Sequence, residues 1–165
     1  MKYIKENNAL ELSYKFWHKH NSANGYPEHY PDEEVIKFLM GLKGNAKKNK
    51  INLRSVKVLD LASGSGKNSI PVSEIGFDLY CVDYSKPGLN YTKKRLKKLK
   101  LGGNFFCIDF VENPLPFPND FFDAIISIQV FDHIFLKSFS KVLQETSRVL
   151  KPKGVAVVIE AAHQC

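Results

Sequence analysis

Cysteine is scarce in this chain of 165 residues, and its three positions share no metal-ligand spacing. Cys81 and Cys107 fall inside predicted strands, and Cys165 is the last residue of the sequence. We therefore expect no metal site. Unpaired thiols of this kind are typical of the reducing cytoplasm, where disulfides rarely persist.

The sequence also has no apolar run that approaches the length of a membrane span. Its start, MKYIKENNALEL, lacks the apolar core of a signal peptide. We accordingly expect a cytoplasmic protein without a membrane partner. With 44% hydrophobic and 25% charged residues, the composition is that of an ordinary globular chain.

Acidic residues are outnumbered by basic ones, which leaves a net charge of +7. Lysines cluster at residues 43–50 and 93–100. A polyanion such as RNA is one partner that these clusters would suit. We favour a solvated surface helix, with the lysines outside and a buried stripe formed by Leu89, Thr92, Leu96 and Leu99. Aromatic residues do not alternate with the lysines, as stacking on bases would require.

The most informative stretch is VKVLDLASGSGKNSIPVSEIGFDLYCVD, residues 56–83. It predicts a buried parallel strand over 56–61, a turn of small residues over 62–66, a helix over 68–75 ended by Gly76, and a strand over 78–82 that leads to Asp83. Glycines let a backbone approach a ligand closely, and an acid after the second strand can accept both hydroxyls of a ribose. The unit therefore predicts a site for a nucleoside cofactor.

The glycine turn alone leaves the type of cofactor open. A phosphate-binding P-loop would need glycine at Leu61 and serine or threonine at Asn68, so that pattern fails. The dinucleotide pattern fits Gly64 and Gly66, but Ser69 stands at its third glycine position. On this stretch alone, a nicotinamide site and a glycine-rich turn without a ligand remain alternatives.

Helices and strands are predicted to alternate through the rest of the chain. Pro31 and the acids after it predict a helix start, and Gly41 and Gly44 predict its end before a lysine-rich linker. Ser85 predicts the cap of a helix that begins near Pro87. The remaining predictions are strands over 104–108, 121–128 and 155–160, a proline-rich loop over 111–119, a helix over 136–150 and a turn over 151–154.

Four segments, in order, resemble class I S-adenosylmethionine-dependent methyltransferases. They are VLDLASGSG, YCVDYS, FFCIDFVENPLPFPNDFFDAIIS and RVLKPKGVAVVIE, which together span roughly residues 56–160. The first is similar to the first motif of that family, VLDLGCGTG in its commonest form. The resemblance implies an α/β, three-layer Rossmann-like fold with a mostly parallel sheet, truncated here after the fifth strand. It also implies one domain over 1–165, with N-terminal helices and a lid over 1–50 and the core over 51–165.

The resemblance further implies that S-adenosyl-L-methionine is the cofactor. Asp83 would accept the ribose hydroxyls, Asp109 would accept the adenine amine, and the Phe110 N–H would face a ring nitrogen. Tyr84 would lie against the adenine, and the exit of the fourth strand would abut the methionine part. The complete set of candidate cofactor-binding residues is Tyr30, Asp60, Ala62, Ser63, Gly64, Gly66, Asp83, Tyr84, Asp109, Phe110, Ile128 and Gln129.

Several of these assignments carry a condition or an alternative. Ala62 replaces the first glycine of the family motif, which is tolerable if Ala62 keeps a negative φ. Trp17, Tyr26 and Tyr30 are candidate lid residues, or else they pack an N-terminal helix onto the sheet. His133 could serve as a general base, but we favour a packing role for it, and no catalytic residue is assigned.

Two predictions concern the packing of strands. Cys81 and Cys107 each precede a site acid by two residues, so we expect close, buried, unbonded thiols on one face of the sheet. The segment 155–159 is apolar throughout, so we expect its free edge to be hidden, in a homo-oligomer rather than under the N-terminal segment.

The activity implied by the resemblance is transfer of a methyl group to an unidentified nucleophile. A small-molecule acceptor is favoured over nucleic acid. The alternative is a non-catalytic S-adenosylmethionine-binding or regulatory module, which the missing C-terminal strands of the usual fold would suit.

Overall fold

A computed structural model of the chain describes residues 30–130 and 136–160. In chain order its elements are α1 (Glu33–Lys48), β1 (Lys57–Leu61), α2 (Ser69–Ile75), β2 (Asp78–Asp83), α3 (Lys86–Lys98), β3 (Asn104–Cys107), β4 (Phe122–Ile128), α4 (Leu136–Val149) and β5 (Leu150–Ile159). A short 3-10 helix, Leu53–Ser55, precedes β1. Within these two ranges, no helix is long and apolar enough to cross a membrane.

The five strands form one parallel sheet in the order β3-β2-β1-β4-β5. The chain moves outward from β1 to β3 and then returns to the other side of β1 with β4. In open α/β sheets, ligands bind at the carboxyl ends of the strands where the order reverses in this way. The predicted Rossmann-like fold class is confirmed, and the reversal lies between β1 and β4.

Each face of the sheet carries its own apolar cluster, because successive strand residues point to opposite sides. Helices α1, α2 and α3 cover one face, where Val58 and Ile126 are buried. Helix α4 and the loop over 109–121 cover the other face. Phe117 fixes that loop, since its ring centroid lies 4.8 Å from that of Phe122 and 4.9 Å from that of Phe106. The sheet is therefore the middle of three layers.

Helix α1 is longer than predicted, because it continues through Gly41 and Gly44 to Lys48. A Cβ at either glycine would meet nothing within 4 Å, so neither position needs glycine for a turn. The last turn is anchored by Ala46, which is buried in the first apolar cluster. The predicted lysine-rich linker is therefore mostly helix.

Helix α3 confirms its predicted cap, because Ser85 Oγ accepts a hydrogen bond from the Gly88 N–H at 3.2 Å. The predicted buried stripe is correct for Leu89, Thr92 and Leu96. It is wrong for Leu99, which follows the last helical residue and is 48% exposed. The stripe ends where the helix ends.

Strand β5 begins at Leu150, five residues before the predicted start. The predicted turn over 151–154 lies inside the strand as a bulge, because Phe122 pairs with Leu150 while Ala124 pairs with Val155. Lys151 within the bulge reaches back to Asp123 of β4, with 2.7 Å between Nζ and Oδ1. A cross-strand ion pair therefore accompanies the change of register.

β5 is the edge strand of the described sheet. Val155 and Val158 on this strand are 45% and 48% exposed. Large exposed aliphatic side chains on an edge strand are a recognised site of association. The predicted homo-oligomer is compatible with this surface and stays a prediction.

The predicted proximity of Cys81 and Cys107 is wrong. In the parallel pair of β2 and β3, Cys81 lies opposite Phe105, and Cys107 lies opposite Asp83. Both cysteines are free and share one face of the sheet, but only Cys81 is buried, while Cys107 is exposed.

The register of β3 is set by the side chain at its start. Asn104 Nδ2 donates to Leu79 O at 3.0 Å and to Asp78 Oδ1 at 3.2 Å, which ties the first residue of β3 to the start of β2. Asp109 therefore follows the end of β3, two residues beyond the position opposite Asp83.

Candidate functional site

Four polar side chains are buried where β1, β2 and β4 end. Asp60 and Asp83 are 3% and 5% exposed, and Ser63 and Ser127 are 7% and 0% exposed. These groups lie near one another, because the end of β1 pairs with both β2 and β4. They surround the point where the strand order reverses, which is the expected position of a ligand site.

The turn after β1 contains three residues with positive φ, namely Ala62 at 58°, Gly64 at 51° and Gly66 at 74°. The condition under which alanine would be tolerable in place of the first motif glycine, a negative φ at Ala62, is therefore not met. Glycine adopts this left-handed region freely, whereas another L residue loses about 1 kcal/mol there. The turn keeps this shape because the Ser63 N–H donates to Val82 O at 3.1 Å, which draws the chain toward β2.

Helix α3 supports the same turn from outside. Thr92 is fully buried, and its Oγ1 donates to Gly64 O at 2.9 Å. Arg95 Nη1 donates to Ser65 O at 3.1 Å. A Cβ at Gly66 would lie 2.4 Å from the methyl carbon of Thr92, so this position requires glycine. Close packing against α3 thus explains the second glycine of the motif.

Two backbone donors hold the carboxylate of Asp83. The Gly64 N–H donates to Oδ2 and the Ser85 N–H donates to Oδ1, each at 2.7 Å. Burial raises the pKa of Asp83 above its usual range, although both hydrogen bonds oppose that rise. Each carboxylate oxygen has a second lone pair for a further donor. The geometry therefore leaves room for the predicted contacts to two ribose hydroxyls.

Asp60 lies beside this carboxylate and accepts a hydrogen bond from Ser69 Oγ. Burial raises the pKa of Asp60 from 3.8 to about 7; the Ser69 bond lowers it, and the negative charge of Asp83 raises it further. Two buried acids in one cleft favour a cationic ligand, because a positive charge nearby makes their ionisation less costly.

Ser63 and Ser127 present hydroxyl groups that the described part of the chain does not satisfy. Within that part, Ser63 Oγ and Ser127 Oγ are the buried side-chain polar atoms without a hydrogen bond of ordinary geometry. Because most buried polar atoms have a partner, such a pair points to a ligand. S-adenosylmethionine fits this setting, since it combines ribose hydroxyls and a carboxylate with two positively charged groups.

The predicted adenine contacts lie at the outer edge of this group. Asp109 is exposed, and its Oδ1 accepts a hydrogen bond from the Val111 N–H at 3.1 Å. This is the Asx-turn contact, in which an aspartate side chain bonds the backbone two residues later. The side chain of Phe110 is buried in the second apolar cluster, so its backbone is the part left for a ligand. Tyr84 is half-buried directly after β2. These three assignments stay predictions.

At the carboxyl end of β4, one backbone N–H group is already bonded to the adjacent strand β5. The Gln129 N–H donates to Ile159 O at 2.6 Å, and Gln129 has a φ of 55° with an exposed side chain. Ile128 before it is half-buried. A contact from Gln129 to the cofactor would therefore use its side chain or its carbonyl oxygen, and both assignments stay predictions.

Tyr30 lies at the surface, at the start of the described residues. It is 91% exposed and lines a groove of about 330 Å³ together with Pro31, Lys67, Ile70, Glu74, Arg95 and Leu99. None of the buried acids or hydroxyls of the strand ends lines this groove. Lys67 and Arg95 in this groove flank the glycine turn, and the contact of Tyr30 with the cofactor stays a prediction. Trp17, Tyr26 and His133 lie outside the described residues.

Asp32 and Asn68 form a clamp that the sequence did not predict. Asn68 Oδ1 accepts from the Asp32 N–H at 3.0 Å, and Asn68 Nδ2 donates to Asp32 Oδ2 at 2.8 Å. Lys67 Nζ lies 2.8 Å from the same Asp32 oxygen. The clamp ties the start of α1 to the start of α2, next to the glycine turn.

Other supporting residues were also missed, notably Ser69, Thr92 and Arg95. Ser69 stands at the third glycine position of the dinucleotide pattern, where it was treated only as a mismatch. A hydroxyl nine residues after Asp60, at the start of a helix packed on β1, was the available signal for their hydrogen bond. Thr92 was predicted to be buried, but nothing in the sequence indicated its acceptor.

Comparison with known families places this site in context. The sequence model of a family described as a methyltransferase domain matches residues 59–158. The chain belongs to this methyltransferase family. The matched residues run from β1 into β5 and include the glycine turn, both buried acids and Ser127. The resemblance drawn from four motifs is confirmed, and membership of the family supports S-adenosylmethionine as the cofactor.

Curated methyltransferases resemble the chain over about two thirds of its length. Demethylmenaquinone methyltransferase from Renibacterium salmoninarum is 34% identical over 111 residues, which cover 65% of this chain and 42% of that protein. The ubiquinone/menaquinone biosynthesis C-methyltransferase UbiE from Pectobacterium carotovorum is 31% identical over 110 residues, 65% of this chain and 43% of that protein. The aligned part of the chain thus spans about two fifths of these relatives.

Several solved structures have the same fold as this chain. One of them is phosphoethanolamine N-methyltransferase 1 from Haemonchus contortus, solved with phosphoethanolamine and S-adenosylhomocysteine. Its superposition on this chain has a TM-score of 0.70 at 14% sequence identity, and the match covers 98% of this chain and 34% of the other. The PH0226 protein from Pyrococcus horikoshii has a TM-score of 0.62 at 27% identity, over 88% of this chain and 60% of that one. At 14% identity, the similarity to the Haemonchus contortus enzyme shows a shared fold and nothing further.

Proposed function

We propose that this chain binds S-adenosylmethionine at the ends of β1, β2 and β4 and transfers its methyl group to a nucleophile. The observation that carries the proposal is the group of two buried acids and two unsatisfied buried hydroxyls around the glycine turn. S-adenosylmethionine supplies a sulfonium-bound methyl group that is already electrophilic. The chain's contribution is to hold and orient the reactants and to exclude water.

Each buried group has a defined task in this proposal. Asp83, fixed by two backbone N–H groups, accepts the ribose hydroxyls. Asp60 in its ionised form offsets the positive charge of the methionine part. Ser63 and Ser127 supply hydroxyls for the remaining polar atoms of the ligand. Methyl transfer to an acceptor that begins protonated, such as a quinol, also releases a proton, and no described residue is assigned as the base that takes it.

We propose a quinol ring carbon as the first acceptor to be tested. The support is the similarity to proteins named as demethylmenaquinone and ubiquinone/menaquinone C-methyltransferases, at 31% to 34% identity. The fold does not select this acceptor, because a structural neighbour was solved with phosphoethanolamine. A cytoplasmic location is part of the proposal, and the free thiols of Cys81 and Cys107 support it.

Calorimetry with S-adenosylmethionine, S-adenosylhomocysteine and NAD tests the binding half of the proposal. We expect the first two to bind and NAD not to bind. The catalytic half is tested by incubating the chain with S-adenosylmethionine and a demethylated menaquinol, and by measuring S-adenosylhomocysteine formed. Absence of binding would overturn the proposal. Binding without turnover of any acceptor would favour the alternative of a non-catalytic cofactor-binding module.

A further inference from the structure

We propose that Thr92 is a positioning residue that aims the Ser65 N–H at the carboxylate of the cofactor. This inference rests on the proposed function and adds a specific contact to it. Thr92 belongs to α3 and lies outside the sequence motif that carries the glycine turn. Its effect on the ligand would be transmitted through one peptide group, which joins Gly64 and Ser65.

The orientation of that peptide group follows from its hydrogen bond. Thr92 Oγ1 donates to Gly64 O at 2.9 Å, so the carbonyl points toward α3. The described chain contains no cis peptide bond, and in a trans peptide the N–H points opposite to the carbonyl. The Ser65 N–H therefore points away from α3. Within residues 30–130 and 136–160, no hydrogen-bond acceptor is assigned to this N–H.

The neighbouring groups of the turn are already engaged. Arg95 Nη1 holds Ser65 O at 3.1 Å, and its guanidinium lies 5.9 Å from the ring centroid of Tyr91. The Gly64 N–H is bound to Asp83, and the Gly66 N–H donates to Ser63 O at 2.8 Å. Among the N–H groups of residues 63–66, that of Ser65 is therefore the one without an assigned acceptor in the described part of the chain.

The carboxylate of the methionine part is the group that suits this donor. A hydrogen bond from a backbone N–H to an ionised carboxylate is stronger than one between neutral groups. The sulfonium and ammonium groups of the same ligand suit the buried acid Asp60 instead. Thr92 thus contributes to recognition of the amino-acid part of the cofactor and not to recognition of the nucleoside.

Two ligands and three variants test this assignment. Thr92→Val keeps the volume that packs on Gly66 but removes the hydroxyl, and Thr92→Ser keeps the hydroxyl. Ser73→Ala is the matched control, because Ser73 Oγ also donates to a glycine carbonyl, Gly102 O at 2.8 Å, away from the turn. The ligands are S-adenosylhomocysteine and 5′-methylthioadenosine, which lacks the amino-acid part. Dissociation constants are measured by calorimetry and urea unfolding is followed in parallel.

We expect Thr92→Val to weaken binding of S-adenosylhomocysteine about tenfold, just below the range for complete loss of a hydrogen bond to a charged group. The dissociation constant of methylthioadenosine should stay within about twofold of its value for the unmodified chain. Thr92→Ser should bind both ligands within about threefold of the unmodified chain, and Ser73→Ala within about twofold. Equal weakening of both ligands by Thr92→Val would show a merely structural role and overturn the proposal. Unchanged binding of both ligands would overturn it as well.

Failure of the proposed function gives a different result. In that case the unmodified chain does not bind S-adenosylhomocysteine, and both proposals are overturned. If the unmodified chain binds and only the Thr92 variants behave unexpectedly, the proposed function survives and the positioning role is overturned.

Discussion

Replacing Asp60 by asparagine should remove most of a pH dependence that the buried acid imposes on folding. Burial raises the pKa of Asp60 in the folded chain to about 7, against 3.8 for an unperturbed carboxyl. Folding therefore favours the protonated form. As pH rises between these two values, the unfolded chain ionises first and the folded state loses stability relative to it.

The magnitude follows from these two pKa values. One proton of difference contributes about 1.4 kcal/mol per pH unit. From pH 5 to pH 8, the unmodified chain without cofactor should therefore lose about 2–3 kcal/mol of unfolding free energy through Asp60, most of it below pH 7. Asp60→Asn carries no titrating group at this position and should not show this loss. The other titrating groups are common to both chains and cancel in the comparison, apart from Asp83, whose charge is coupled to that of Asp60.

Urea unfolding at pH 5, 6, 7 and 8, in the absence of cofactor, measures this difference. We expect Asp60→Asn to gain about 2–3 kcal/mol of unfolding free energy relative to the unmodified chain as pH rises across this range. Asp120→Asn, at an exposed acid, serves as the control and should follow the unmodified chain. A constant difference between Asp60→Asn and the unmodified chain at all four pH values would refute the reasoning, because it would mean that Asp60 titrates alike in both states.

Three further predictions follow from the same region and from β5. Ala62→Gly should raise the unfolding free energy by about 0.5–1 kcal/mol, because the backbone strain that glycine removes at a φ of 58° exceeds the extra conformational entropy that glycine gives the unfolded chain. A loss of stability in urea unfolding would contradict this positive φ. Asp83→Ala should weaken S-adenosylhomocysteine binding, measured by calorimetry, by roughly 1.5–3 kcal/mol. It should also lower the unfolding free energy, because it removes the acceptor of two backbone N–H groups. Unchanged affinity would contradict the assignment of Asp83 to the ribose hydroxyls. Val158 is 48% exposed on the edge strand, so Val158→Lys should shift the chain from oligomer to monomer in sedimentation at micromolar concentration. An unmodified chain that sediments as a monomer would contradict the predicted homo-oligomer.

The parts of the fold that could be predicted are those encoded by neighbouring residues. The strands β1 and β4 are short apolar runs with turn signals on both sides, and helix α3 has Ser85 as an N-cap. The position of Asp83 follows because one short helix and one tight turn separate β1 from β2. These features depend on local pattern, which a single sequence contains.

The parts that could not be predicted depend on contacts between distant residues. The register of β3 is set by the bond from Asn104 to Leu79, 25 residues away. The positive φ of Ala62 depends on the bond from the Ser63 N–H to Val82 O, and an alanine gives no local sign of it. The glycine turn was recognised, but its hydroxyl donor Thr92 lies 28 residues beyond Gly64.

The unsatisfied cleft at the ends of β1 and β4 has a consequence for the life of the protein in the cell. The burial of two acids, and two buried hydroxyls that lack an ordinary hydrogen bond, make the chain without cofactor less stable than its apolar core would allow. A ligand that binds the folded state at 100 times its dissociation constant adds about 2.7 kcal/mol of stability. Because proteases remove unfolded chains, the steady-state amount of this protein should rise and fall with the supply of its cofactor.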